Sequence, residues 1–344
     1  MAYISFQPSD HFNTKIFTGN GSTQSITGVG FEPSLTWIKN RDHANHNVLF
    51  DAVRGGSKVI YANLANAEAT ASGVTAFDSD GFTLGNDSDT NRNTNSHASW
   101  NWLANGQGSS NTDGSINTTY TSANTTSGFS IVKYTGTGSN ATVGHGLGAV
   151  PKMIIIKCLQ QTHWWFVYHS AVGNTKKLNL NTTNDSGSAS ANYWNNTTPT
   201  SSVFSVGTET GVNQSGQDYI AYCFAEKKGF SAMGSYTGNG NADGSFIYTG
   251  FSPAFVIVKQ TNASGESWKM YDNKRPGYNL VNNWLEPDDS QAEGTGSNQI
   301  DMVSNGFKAR ATNTAMNASG STYIFMAFAE EPLVASNGVP ATAR

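Results

Sequence analysis

The chain has 344 residues, room for two or three domains, yet only 13% are charged and the formal net charge is −4, against a usual charged fraction of ~25%. Asn, Ser, Thr and Gly supply the polarity instead, so there is no basic surface to hold a phosphate backbone, and nucleic acid is excluded as a partner. Aromatic residues make up 11%, which argues against disorder because such rings populate cores.

Residues 1–11 form an aromatic and apolar arm with Tyr3, Ile4 and Phe6, broken at Pro8. Such an arm either adds a strand to its own sheet, as termini often do, or docks on a neighbouring subunit. The opening MAYISFQPSD carries no basic stretch followed by a long apolar run. No secretory leader is expected from it, and no apolar run nears the length that inserts into a membrane. Leu35 to Lys39 reads as a core strand, Val48 to Phe50 as an alternating one, and Val59 to Leu64 as a third. The alanine-rich stretch Leu64 to Ala71 is the best candidate for a short helix. Asp80-Gly81 marks a hairpin turn between Phe77 and Phe82. Residues 106–128 carry Gly, Asn, Ser and Thr with almost no large apolar side chain, the composition of a linker or long exposed loop. Glu226 and Phe230 leave so short a joint that the units on either side should form a rigid pair. After Glu330, Pro332 and Pro340 favour an extended tail.

One pattern orders these elements. Phe17 to Lys39 reads FTGNGSTQSITGVGFEPSLTWIK, Tyr134 to Lys157 reads YTGTGSNATVGHGLGAVPKMIIIK, and Tyr236 to Lys259 reads YTGNGNADGSFIYTGFSPAFVIVK. A T-G-x-G turn, a proline and a closing lysine recur at nearly constant spacing, the signature of internal repetition. An aromatic segment follows each copy (Phe50, Tyr168 and Tyr271 at matching places), and each closes on an apolar strand ending in Asn105, Glu226 or Glu330. The expected fold is all-β, with three tandem sandwich units of lectin or jelly-roll type. They occupy 12–105, 129–226 and 227–330, with the arm at 1–11, a linker at 106–128 and a tail at 331–344.

Reactive constellations are missing from the sequence. Cys158 and Cys223 stand far from any second cysteine or histidine in ligand spacing, so no metal and no cofactor is expected. Whether the two are paired stays open, with buried thiols favoured. Asp78, Asp80, Asp87 and Asp89 resemble fragments of a calcium loop but lack a closing glutamate, and turn chemistry accounts for them. Asp51 and Asp272 recur between copies while the second copy has His169, a pattern that suits a rim position better than a catalytic pair. Together these features predict a non-enzyme. Exposed indole rings beside amide side chains are a means of recognising sugars, and Trp164, Trp194 and Trp284, each beside Asn- or Thr-rich loops, are the candidate glycan-binding residues.

The blocks SYTGNGNADGSFIYTGFSPAFVIVKQT, WKMYDNKRPGYN and TYIFMAFAE resemble a repeated β-rich module of structural proteins from tailed, especially marine, bacteriophages. Those proteins are described as tail-fibre or lectin-like virion components. The first unit departs most, with Trp-Leu-Ala-Asn where the others have Phe-Ala-Glu. The resemblance implies a virion location, other virion proteins and host-surface glycan as partners, and a homotrimer like that of fibres, with Tyr3, Ile4 and Phe6 as the attachment arm. It implies a tail-fibre or spike role first, a capsid decoration or connector role second, and a polysaccharide depolymerase third. It supplies no catalytic or binding residue.

Overall fold

The computed structural model describes residues 6–332 and is all-β. Among the described residues, helix is confined to single turns at Pro8–Asp10, Ser88–Asn91, Ala191–Trp194, Thr210–Asn213 and Thr314–Asn317. Leu64 to Ala71 is not one of them: Ala69–Thr70 pairs with Lys58 and Val59 instead. So short a stretch cannot meet the cost of helix nucleation without a packed face.

Three larger antiparallel sheets share one strand order. Phe12–Thr18, Ser96–Trp102, Leu35–Asn40 and Val48–Asp51 lie side by side in the first, continued by Lys58–Tyr61. Phe129–Thr135, Asp218–Phe224, Met153–Cys158 and Phe166–His169 do so in the second, continued by Leu178–Asn179. Ser231–Thr237, Thr322–Pro332, Phe251–Gln260 and Lys269–Asp272 form the third. Register matches as well: Lys39 faces Ala98, Lys157 faces Ile220 and Lys259 faces Ile324.

Alternation along each strand sends residues to two different cores. One face of every larger sheet meets a smaller outer sheet. Phe50, Ile38 and Val59 pack there against Phe82 and Leu84, Ile156 and Phe166 against Phe204 and Val206, and Val256 and Tyr271 against Ile300 and Phe307. The opposite faces of all three sheets meet in one common core, with Trp37, Trp100, Trp102, Ile155, Tyr222, Phe224, Ile257, Met326 and Phe328. Both faces are thus dry, which is why the central strands read as unbroken apolar runs. Trp102 sits where the three meet, 5.0 Å from the Phe12 ring, 5.7 Å from Phe328 and 6.4 Å from Phe224.

The T-G-x-G turn has a steric cause. A Cβ on Gly19, Gly136 or Gly238 would lie 2.3, 2.4 or 2.3 Å from the carbonyl oxygen of Arg92, Gln214 or Ala318. Those carbonyls follow helical turns that end in the buried Asn91, Asn213 and Asn317. Each asparagine accepts from the N–H of the x residue, Asn20, Thr137 or Asn239. Each also donates to a carbonyl further along the turn, at Ser22, Ser139 or Asn241.

One further expectation is corrected. Residues 106–128 do not form a free linker. Tyr120–Asn124 extends the second larger sheet beside Phe129–Thr135, and Ile116 bridges Val143 in parallel and fills the second core. A buried sheet edge needs backbone partners, and a polar strand supplies them without an apolar signature. Within the arm, Tyr3 and Ile4 lie outside the described residues, while Phe6 packs on its own chain, edge-on to His11 at 4.7 Å and Phe230 at 5.3 Å. Cys223 pairs with Ile154, four residues along the strand from Cys158. That offset is ~13 Å at the usual rise per residue, beyond disulfide reach, and both thiols are free and buried.

Candidate functional site

The seams between units consume the acids that the repeats share. Asp51 and Asp272 each grip the arginine three residues on, Arg54 and Arg275, at 2.6 Å with both partners buried. Each aspartate then receives a donor from another unit. Tyr222 Oη donates to Asp51 at 2.7 Å, and Trp100 Nε1 donates to Asp272 at 3.1 Å. In the second unit His169 stands at this place, and burial pushes its pKa down to about 4, so the ring is neutral. Its Nδ1 accepts from the Ala171 N–H, and Nε2 donates to the Phe325 carbonyl of the third unit at 3.3 Å. First meets second, second meets third and third meets first. A second ring of bonds runs the other way. Trp165 Nε1 donates to the Tyr61 carbonyl, Trp268 Nε1 to that of Asn179, and Asn47 Nδ2 to that of Glu286, at 2.9, 2.9 and 2.8 Å.

The calcium-like aspartates are also engaged within the chain. Asp80 accepts from the Gly28 and Gly30 N–H groups, Asp78 from Thr83, Asp87 from the Asp89 N–H, and Asp89 from Asn45 and the His46 N–H. The described residues contain no group of three or more His, Cys, Asp or Glu placed to hold a metal ion.

The three candidate tryptophans differ sharply. Trp194 is 2% exposed and donates its Nε1 to the Lys176 carbonyl at 2.7 Å, so its faces are unavailable to a ligand. Trp284 is half-buried, with its ring against Gly294 and the Lys269 ammonium 5.4 Å from its centroid. Trp164 is 51% exposed. It lines a cleft of about 270 Å³ with Ala65, Thr162, His163, Phe166 and Glu209. The cleft lies on the seam between first and second units, where the His163 N–H donates to the Ala65 carbonyl and the Glu68 N–H to that of Leu159.

Behind the indole stands Lys177, its ammonium 5.1 Å from the Trp164 and Phe166 centroids and 5.9 Å from that of Tyr193. It donates to Asn179. Burial lowers its pKa, and the charges of Glu209 and Asp185 partly oppose that. Glu209 is carried into place by the helical turn Thr210–Asn213. Gly211 lies flat on Phe166, where a Cβ would come within 2.0 Å of the ring. Alignment of the copies sets Glu209 against Asp87 and Asn313, which cap their turns by accepting from the Asp89 and Ala315 N–H groups at 2.8 Å. Glu209 caps nothing, and its carboxylate makes no hydrogen bond or ion pair among the described residues.

Of the residues singled out from sequence, only Trp164 reaches this cleft. Glu209 and His163 line it, and Lys177 stands against the indole, none of them marked as a ligand contact by the sequence. The signal for Glu209 was present: it is the one long side chain at a position where the other copies place a short cap. The indole is also peculiar to the second unit, since the residues at its place are His46 and Ser267, and His46 turns inward to Asn63 and Tyr61.

No curated protein matches this chain. A family profile matches residues 7–332, nearly the whole length, and the chain therefore belongs to the family described as Domain of unknown function (DUF7483).

Proposed function

We propose that the protein is a non-enzymatic bacteriophage virion component, of tail-fibre or spike type, that contacts host-surface glycan through the cleft at Trp164. The observation that carries this reading is the exposed indole, standing in a cleft beside an unengaged carboxylate. The virion setting comes from the phage-like blocks of the third unit. The seam role of Asp51 and Asp272 supports a binding rather than a catalytic part. With so little net charge, contacts must come from stacking and hydrogen bonds rather than long-range steering. Trp164→Ala should weaken glycan binding by ~1–3 kcal/mol, by analogy with ring stacking on bases, with little dependence on salt. Glycan arrays and host adsorption measure this once a thermal melt shows that the variant folds. Binding that survives the substitution would move the site elsewhere.

A decoration or connector role is the second reading. It is favoured by exposed aromatic rings of the third unit: Tyr278, 80% exposed in the loop before Val281–Trp284, and Tyr248, 58% exposed on the outer sheet. Phe246 and Tyr248 stand there in rows occupied by Ser25 and Thr27 in the first unit. Labelling the chain on intact particles separates the readings, since a connector lies between other proteins and a spike at a free tip. The homotrimer belongs to the same proposal, and light scattering tests it.

A further inference from the structure

We infer that Glu209 is a ligand-binding carboxylate, and that the cleft takes an uncharged sugar ring whose neighbouring hydroxyls donate to Glu209 while its apolar face stacks on Trp164. This rests on the glycan reading above and specifies the class of sugar.

The three copies act as controls for one another. At the position before each helical turn, Asp87 and Asn313 accept from a backbone N–H two residues on. That is the ordinary work of a capping side chain, and its loss destabilises a helical turn. In the second copy the longer Glu209 leaves the cap unmade. The turn gains no cap from it, and Glu209 lines the cleft instead, its charge favouring the protonated form of Lys177. The indole follows the same logic, because His46 and Ser267 keep the other copies folded without an exposed ring. Two departures from the repeat thus meet at one cleft, and both also act on the Lys177 ammonium.

Charge selects the class of ligand. A carboxylated sugar would bring its anion against Glu209, which has no cationic partner within ion-pair distance. A cationic amino sugar would approach the Lys177 ammonium, already 5.1 Å from the Trp164 centroid. A neutral ring offers hydroxyl donors to the carboxylate and an apolar face to the indole, and meets no like charge. Thr162 and His163 on the cleft wall supply further polar atoms.

The test is an array of neutral, uronate-bearing and amino-sugar glycans, probed with the full chain and with Trp164→Ala, Glu209→Gln and Glu209→Asp. Neutral glycans should bind, and Trp164→Ala and Glu209→Gln should each lower affinity by roughly 10- to 100-fold, the range for a stacking contact or a charge-assisted hydrogen bond. Glu209→Asp should weaken binding likewise while raising the melting temperature, because the shorter acid regains the cap that Asp87 makes. Capture of uronate-bearing or amino-sugar glycans in place of neutral ones overturns this inference and leaves the glycan reading standing. So does neutral binding that ignores both Glu209 substitutions. Silence of the folded wild-type chain across the array overturns the glycan reading itself.

Discussion

At the scale of single residues, three matching positions show how the same fold tolerates different chemistry. Asn63, Asn181 and Asp288 each accept from the backbone N–H of Asn47, Trp165 and Trp268. Only Asp288 brings a titratable group, and burial raises its pKa to about 7. Unfolded, it titrates near ~4. Below that it is neutral in both states and costs nothing. As pH rises from ~4 to ~7 the unfolded chain ionises first, so this group withdraws stability across that window and the loss is complete above ~7. Asp288→Asn keeps the acceptor and removes the charge. The variant should match wild type at pH 4 and exceed it by ~2–4 kcal/mol at pH 8, less whatever the Asp288 charge contributes to the buried Lys259 ammonium. Denaturant unfolding at the two pH values measures it, and an unchanged pH slope would refute it. The closing lysines show what a sequence hides. Their spacing was plain, but Lys39 bonds to the carbonyls of Asn40, Asn45 and Ser290, and Lys259 to those of Glu266 and Thr183. Backbone acceptors leave no mark in side-chain patterns.

Among elements, the turn is the most legible and the inter-unit segment the least. The recurring T-G-x-G could be read as a turn, but not that a distant carbonyl forbids a side chain at its first glycine. Gly136→Ala should cost ~1–3 kcal/mol, because the Gln214 backbone must retreat to admit the methyl. Gly173→Ala, at an open turn position with φ of 90°, should cost only the ~1 kcal/mol of a left-handed backbone. Equal shifts in melting temperature would show that crowding at Gln214 is not the cause. The run 106–128 was misread because only Ile116 and Tyr120 mark its burial. Pattern reasoning detects apolar faces, and a strand held by Thr and Ser backbone bonds shows none. Trp194 failed as a surface ring for a related reason. Its polar neighbours suggested a loop, but Trp194 ends a helical turn, Ala191–Trp194, and its ring packs into the second core against Tyr168.

For the whole molecule, the common core ties the three units into one cooperative body. The all-β class was readable, yet separate sandwiches would leave Trp100, Trp102 and Phe328 facing water. How the copies face one another depends on pairs such as Tyr222 with Asp51, which come from segments 171 residues apart and leave no local trace. Tyr222→Phe strips Asp51 of that donor inside the core and should cost ~1–3 kcal/mol. Because the core is shared, calorimetry should show one transition moving down as a whole. A second peak would mean that the first two units melt independently.

The ring of seams also carries an address. Its three joints are closed by a phenol on a carboxylate, an indole on a carboxylate and an imidazole on a carbonyl. These closures are not interchangeable: a copy bearing Met326 where another has Tyr222 offers no donor to a waiting acid. Units that share a backbone plan are therefore keyed to one cyclic sequence of neighbours. Look-alike modules in a single chain commonly risk trading places with one another or with those of adjacent chains. Here a misplaced module would strand a buried acid, so the joints themselves proofread the assembly.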